Sequence, residues 1–139
     1  MQRLTGWPYK MKILRCVGAL VILAFTLPFQ AEALDLAKQQ YLSPREAASL
    51  QQEVIFLDVR STLEWLMGRV KGAVHIPHDE VAQKVAEMIP DRSIPVVTYC
   101  VSGGRASYVV EAMQKLGYTV VPVVNGGYKE LIANGLEND

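Results

Sequence analysis

The sequence predicts an α/β fold built on a mainly parallel sheet with helices on both faces. Three observations carry this reading. Short apolar runs that read as strands alternate with helical segments from residue 43 to residue 133. Two of the runs, Val54-Ile55-Phe56-Leu57 and Pro95-Val96-Val97-Thr98, are strand-like and nearly continuous in apolar character, as in strands buried on both faces. Helix starts are marked by capping boxes, at Ser43-Pro44-Arg45-Glu46 and again at Ser61-Thr62-Leu63-Glu64.

Pro44 stands at the first helical position, so the first helix is expected to run to about Gln52. The Val54–Leu57 strand ends in Asp58-Val59-Arg60. The second capping box opens a short helix that Gly68 stops. Gly72-Ala73-Val74-His75-Ile76 reads as a strand closed by Pro77. Asp79 to Ile89 reads as a helix with Val81, Val85 and Met88 on its core face. Pro95 to Tyr99 is the next strand, and Arg105 to Leu116 the next helix, with Val109, Ala112, Met113 and Leu116 inward and Gly117 ending it. Thr119 to Val124 reads as a strand, Asn125-Gly126-Gly127 as a turn, and Tyr128 to Ala133 as a last helix.

Not all 139 residues are assigned to that fold. Met1 to Arg15 carries Arg3, Lys10, Lys12 and Arg15 and no acid; Cys16 to Phe29 is apolar; Gln30-Ala31-Glu32-Ala33 follows with small residues two apart. These are the three parts of a secretory signal peptide, and cleavage is expected after Ala33, with Met11 an alternative start. The apolar run is shorter than the about 20 residues of a transmembrane helix, and an uncleaved anchor is the alternative. The expected organisation is a signal peptide over 1–33, a short leader over 34–40, one domain over 41–135 and a tail over 136–139, with export to a periplasm.

The full chain has fourteen basic and fourteen acidic residues; without residues 1–33 it keeps ten and thirteen, a net charge near −3. That argues against nucleic acid or an anionic membrane surface as partner. Of the two cysteines, Cys16 lies in the expected signal peptide and Cys100 is alone in the domain. An unpaired cysteine in an exported chain points to a reactive thiol or an intermolecular partner, and without a Cys-x-x-Cys pair self-contained dithiol redox chemistry is excluded.

The surroundings of Cys100 favour the reactive reading. Tyr99-Cys100-Val101-Ser102-Gly103-Gly104-Arg105-Ala106-Ser107 joins a strand end to a helix start through a glycine-bearing loop. Loop N–H groups converge in such a turn, the helix N-terminus adds partial positive charge, and Arg105 adds a full one. Each favours the thiolate, which is the nucleophile. The competing reading is an inert core cysteine after a buried strand. Ligands of parallel sheets bind beyond the carboxyl ends of the strands, which is where Cys100 falls. Asp58 and Arg60 follow another strand and are candidates for the border of the site; the alternative is structural, with Asp58 tying its loop and Arg60 in an ion pair. Glu64 is read as a helix cap, with an acid–base pair of Asp58 and Glu64 as the alternative. His75 and His78 are separated by Ile76-Pro77, which argues against a helical metal pair.

At this point the chain resembles the rhodanese family of sulfurtransferases. Leu57-Asp58-Val59-Arg60 with Glu64-Trp65 and Gly68, Gly72-Ala73-Val74-His75-Ile76-Pro77, the Tyr99–Ser107 loop, and Gly117-Tyr118 with Gly126-Gly127-Tyr128 resemble the family's motifs in order, over about residues 41–135. The resemblance implies a rhodanese-like three-layer fold and a two-step exchange with no metal and no organic cofactor. Cys100 would take a sulfane sulfur from thiosulfate or a persulfide and pass it to a thiophilic acceptor: cyanide, a thiol or a protein thiol. N–H groups from Val101 to Arg105 would hold the persulfide, Ser102 would bond the sulfur or close the loop, Gly103 and Gly104 would let the backbone approach, and Arg105 would anchor the loop and hold donor charge.

Members often carry basic residues where Val101 and Gly104 stand, so the loop offers one cation. Each missing charged contact would weaken binding of the thiosulfate dianion by about 1.5–3 kcal/mol, which favours a less charged donor. Arg69 stands at a common histidine position and Leu131 at a common tryptophan one. Two rivals remain: a non-catalytic binding or sulfur-carrying module, and a phosphatase or arsenate reductase. Relatives of the latter kind have five residues between cysteine and arginine, whereas four separate Cys100 from Arg105.

Overall fold

The computed structural model describes residues 35–139. The signal peptide expected over residues 1–33 lies outside them. Five strands, β1 (Tyr41–Leu42), β2 (Ile55–Asp58), β3 (Val74–His75), β4 (Val96–Tyr99) and β5 (Val123–Val124), form one sheet in the order β1-β5-β4-β2-β3. Every pairing is parallel. The helices are α1 (Pro44–Ser49), α2 (Thr62–Leu66), α3 (Val81–Met88), α4 (Gly104–Lys115) and α5 (Tyr128–Ala133), and a short 3-10 turn covers Leu36–Lys38.

The sheet separates two cores. On one side Val81, Val85, Val109 and Met113 of α3 and α4 pack with Leu57, Val96 and Cys100. On the other, Ala47 of α1 and Leu131 of α5 pack with Phe56, Val97 and Tyr99. Alternation along β2 and β4 divides neighbouring residues between the two cores, so both strands are apolar on both faces. The α/β class and its parallel sheet are therefore as the sequence predicts.

Both Ser capping boxes are formed. Ser43 Oγ accepts from the Glu46 N–H and Ser61 Oγ from the Glu64 N–H, while each glutamate carboxylate reaches back to its serine N–H. These reciprocal bonds fix where α1 and α2 begin.

Several expectations need correction. The strand expected over 119–124 narrows to Val123–Val124, because Pro122 has no N–H to donate; the carbonyls of Val120 and Pro122 still accept from Val96 and Thr98. Met88 is exposed and Ile89 is buried in its place, since the core-facing row of α3 runs 81, 85, 89. Ala112 of α4 is only half-buried, whereas Ala106 is fully buried; Leu116, just past the end of α4, packs against the core as expected. Tyr41–Leu42, at the edge of the expected leader, is an edge strand paired with β5. Residues 136–139 are not a loose tail: Leu136 is buried, Asn138 bridges Val70, and the Arg69 and Asp139 backbones exchange hydrogen bonds.

Candidate active site

Register sets the site. Asp58 at the end of β2 is paired with Tyr99 at the end of β4, and the Val59 N–H donates to the Tyr99 carbonyl at 3.1 Å. Cys100 and Arg60 therefore leave neighbouring central strands at the same edge of the sheet, as expected of an α/β ligand site.

Cys100 is a free cysteine whose side chain joins the α3–α4 core, with 2 % of the residue exposed. The loop after it turns through Gly103 at φ +90°, a left-handed conformation that glycine adopts without strain. The turn aims the Gly103 N–H at Sγ, 3.1 Å away, and starts α4 immediately afterwards. Burial pushes the thiol pKa up, but hydrogen bonds from the backbone N–H groups of Ala106, Ser102, Gly103 and Arg105 outweigh it, and the net shift is downward. Beyond the expected Val101–Arg105 segment, the N–H of Ala106, in the first turn of α4, also lowers the thiol pKa. Val101 points its side chain outward, half exposed.

Arg105 does not stand free at the loop exit. Its Nη1 and Nη2 donate to the two carboxylate oxygens of Glu64 at 2.7 and 2.9 Å. Glu64 thus serves twice, capping α2 through Ser61 and clamping the first turn of α4. The Arg105 contacts, opposed by partial burial and helped by Ser61, hold its carboxyl well below the ordinary carboxylate range. The pairing of Glu64 with Arg105 is not legible in the sequence, because a partner forty-one residues away leaves no local pattern.

Asp58 and Arg60 form a buried pair. Arg60 Nε donates to Asp58 Oδ1 and Oδ2 at 3.0 and 2.9 Å, and Nη2 donates to Oδ2 at 2.6 Å and to the Gly68 carbonyl at 2.7 Å. The Arg60 guanidinium also lies 4.2 Å from the centre of the Tyr128 ring. Asp58 is fully buried and ties the loop, while Arg60 lines a cavity at the border of the site. Arg69 rests over the Trp65 ring, 5.0 Å from its centre, and Leu131 is core. Trp65 in turn stacks on His75 with ring centres 4.8 Å apart, holding α2 against β3.

The sequence did not single out Gly127 as a site residue, yet it backs the nucleophile directly. The Tyr128 N–H donates to the Cys100 carbonyl at 2.9 Å. A Cβ on Gly127 would lie 2.7 Å from that carbonyl oxygen and closer still to the carbonyl of Val101. Only a residue without a side chain allows α5 to seat there. A cavity of about 250 Å³ opens beside the loop, lined by Arg60, Glu64, Met67, Val101, Tyr128 and Lys129.

A five-stranded parallel sheet with a cysteine loop between β4 and α4 defines the class, and residues 43–134 match the family model described as a rhodanese-like domain, so the chain belongs to the rhodanese family. Among its relatives is the thiosulfate sulfurtransferase PspE of Escherichia coli, 33% identical over 76 residues that span 55% of this chain and 72% of that protein. The mouse thiosulfate sulfurtransferase/rhodanese-like domain-containing protein 3 is 30% identical over 102 residues, 63% of this chain and 65% of that protein. Among solved structures, the human single-domain sulfurtransferase TSTD1 superposes with a TM-score of 0.59 at 25% identity, covering 68% of this chain and 96% of its own.

Proposed function

We propose that this protein is a sulfurtransferase that carries a sulfane sulfur as a persulfide on Cys100. The observation that carries the reading is the loop that turns the Gly103 N–H onto the Cys100 sulfur at 3.1 Å, with backbone N–H groups holding the thiol pKa down against burial. Such a cradle is built for a negatively charged sulfur, and it stabilises the thiolate before attack and the persulfide after it. Membership of a family with thiosulfate sulfurtransferases among its relatives supports the same chemistry.

With thiosulfate as donor, the thiolate attacks the outer sulfur. The Sγ–S bond forms as the bond to the sulfite sulfur breaks, and sulfite departs with the electron pair. A thiophilic acceptor, such as cyanide or a thiolate, then attacks the terminal sulfur and restores the Cys100 thiolate. This is covalent catalysis in two displacement steps. Arg105, held by Glu64, keeps positive charge beside the sulfur and fixes the first turn of α4. Gly127 and Tyr128 fix the backbone of Cys100 from behind.

The four-residue spacing to Arg105 leaves a loop suited to one sulfur atom rather than a tetrahedral phosphate. Export to a periplasm belongs to the same proposal, supported by the basic stretch, apolar run and small-residue site of residues 1–33. Steady-state formation of thiocyanate from thiosulfate and cyanide is the test. Activity with double-displacement kinetics, abolished by Cys100→Ser, is expected; activity that survives that change would refute the assignment of Cys100.

A further inference from the structure

We infer that the cavity beside the loop selects the sulfur donor, and that Met67, Val101, Tyr128 and Lys129 make it a seat for an organic sulfane-sulfur anion with one negative charge. This rests on the reading of Cys100 as the persulfide carrier. It adds which donor the surrounding surface prefers and which residues set that preference.

Charge is the first argument. Three charged side chains line the cavity, and two are already matched. Arg60 is engaged by Asp58, the Gly68 carbonyl and the Tyr128 ring. Glu64 is matched by Arg105, two-pronged. Lys129, exposed on the first turn of α5, has no ion-pair partner among the described residues. The cavity therefore presents one unmatched positive charge.

The walls are the second argument. Met67 is 83% exposed and Val101 51% exposed, so two apolar side chains are held in water in the wall of the cavity. Tyr128 supplies an aromatic face already polarised by Arg60. Contact with an apolar ligand body would remove these surfaces from water. Inorganic thiosulfate has no apolar body to offer, and its second charge would lose water against apolar walls with no second free cation to meet it. An organic thiosulfonate matches both features.

Its reaction balances without a further reagent. The Cys100 thiolate attacks the terminal sulfur of the thiosulfonate. An Sγ–S bond forms, the bond from that sulfur to the sulfonyl sulfur breaks, and the electron pair leaves on an organic sulfinate. The sulfonyl sulfur is formally reduced by one electron as the cysteine sulfur is formally oxidised by one, and the transferred sulfur keeps its oxidation state. Two negative charges enter, two leave, and no proton moves. Lys129 would face the developing sulfinate while Met67 and Val101 cover its organic group.

The test is the rate of Cys100 persulfide formation with benzenethiosulfonate and with thiosulfate, followed by intact mass. Benzenethiosulfonate should load the protein about tenfold faster or more. Lys129→Ala should lower the benzenethiosulfonate rate constant several-fold, with Lys129→Arg retaining it; Met67→Ser should lower the benzenethiosulfonate rate several-fold more than the thiosulfate rate. Val101→Lys should raise the thiosulfate rate and narrow the preference. Equal or faster loading by thiosulfate in the unaltered protein, or a donor ratio that neither Lys129→Ala nor Met67→Ser changes, would overturn the inference. Sulfur on Cys100 from neither donor would overturn the underlying persulfide reading instead.

Discussion

Gly127→Ala puts the packing behind the nucleophile to its strongest test. Gly127 has φ −156°, an extended conformation open to any residue, so the change introduces no backbone strain of its own. The whole effect comes from the new methyl. Its carbon would lie 2.7 Å from the Cys100 carbonyl oxygen and closer to the Val101 carbonyl, with backbone rather than a flexible side chain in the way. Either α5 or the Cys100–Val101 segment must withdraw. Overpacking of this kind costs about 1–3 kcal/mol, and losing the Tyr128 N–H bond to Cys100 adds about 0.5–1.5 kcal/mol. A total near 3 kcal/mol is expected, measured as the loss of unfolding free energy in urea. Because the moved segment includes the cradle, the thiol pKa should also rise toward its ordinary value, read from the pH dependence of iodoacetamide alkylation. A variant within about 0.5 kcal/mol of the parent, the range of an ordinary surface change, with an unaltered alkylation profile, would refute the reasoning.

Other outcomes follow from the same geometry. Alkylation of Cys100 in the folded protein should persist at pH values below the midpoint seen in denaturant, since the folded pKa is lowered by backbone N–H groups against burial. By linkage, the ionised thiol stabilises the fold above its unfolded pKa, and that contribution disappears as pH falls through the folded value. Glu64→Gln keeps an acceptor for Ser61 but removes the charge facing Arg105; stability should fall by about 1 kcal/mol at low salt, less at high salt, and the Cys100 midpoint should move further down as Arg105 loses its counter-charge. Asp58→Asn leaves the buried Arg60 guanidinium without its carboxylate and should cost about 3–5 kcal/mol in urea unfolding. Ile89→Ala should cost about 2–5 kcal/mol, whereas Met88→Ala, on the exposed side of the same turn, should stay within about 0.5 kcal/mol.

Much of the fold was legible because it is written in local patterns. The capping boxes at Ser43 and Ser61 and the apolar runs of β2 and β4 depend on residues within a few positions of each other. The cysteine loop was legible for the same reason: strand end, Gly103 and helix start are contiguous. What was missed depends on contacts across the chain. Glu64 as the partner of Arg105, and Gly127 as the support behind Cys100, join segments whose approach only the folded sheet brings about. Lys129 shows no motif in sequence and reaches the cavity because α5 is seated on the loop. The overlong last strand came from counting apolar residues across Pro122, which breaks the donor side of the ladder. Leu136 and Asn138 were set aside as tail because their partners, the α1–α5 core and Val70, are distant in sequence.

The central claim is that Cys100 becomes a persulfide, and intact mass of the purified protein before and after exposure to thiosulfate or benzenethiosulfonate tests it most directly. The account requires a gain of one sulfur atom, reversed by cyanide and absent from Cys100→Ser. An unchanged mass with both donors, or a gain that survives in Cys100→Ser, would contradict it.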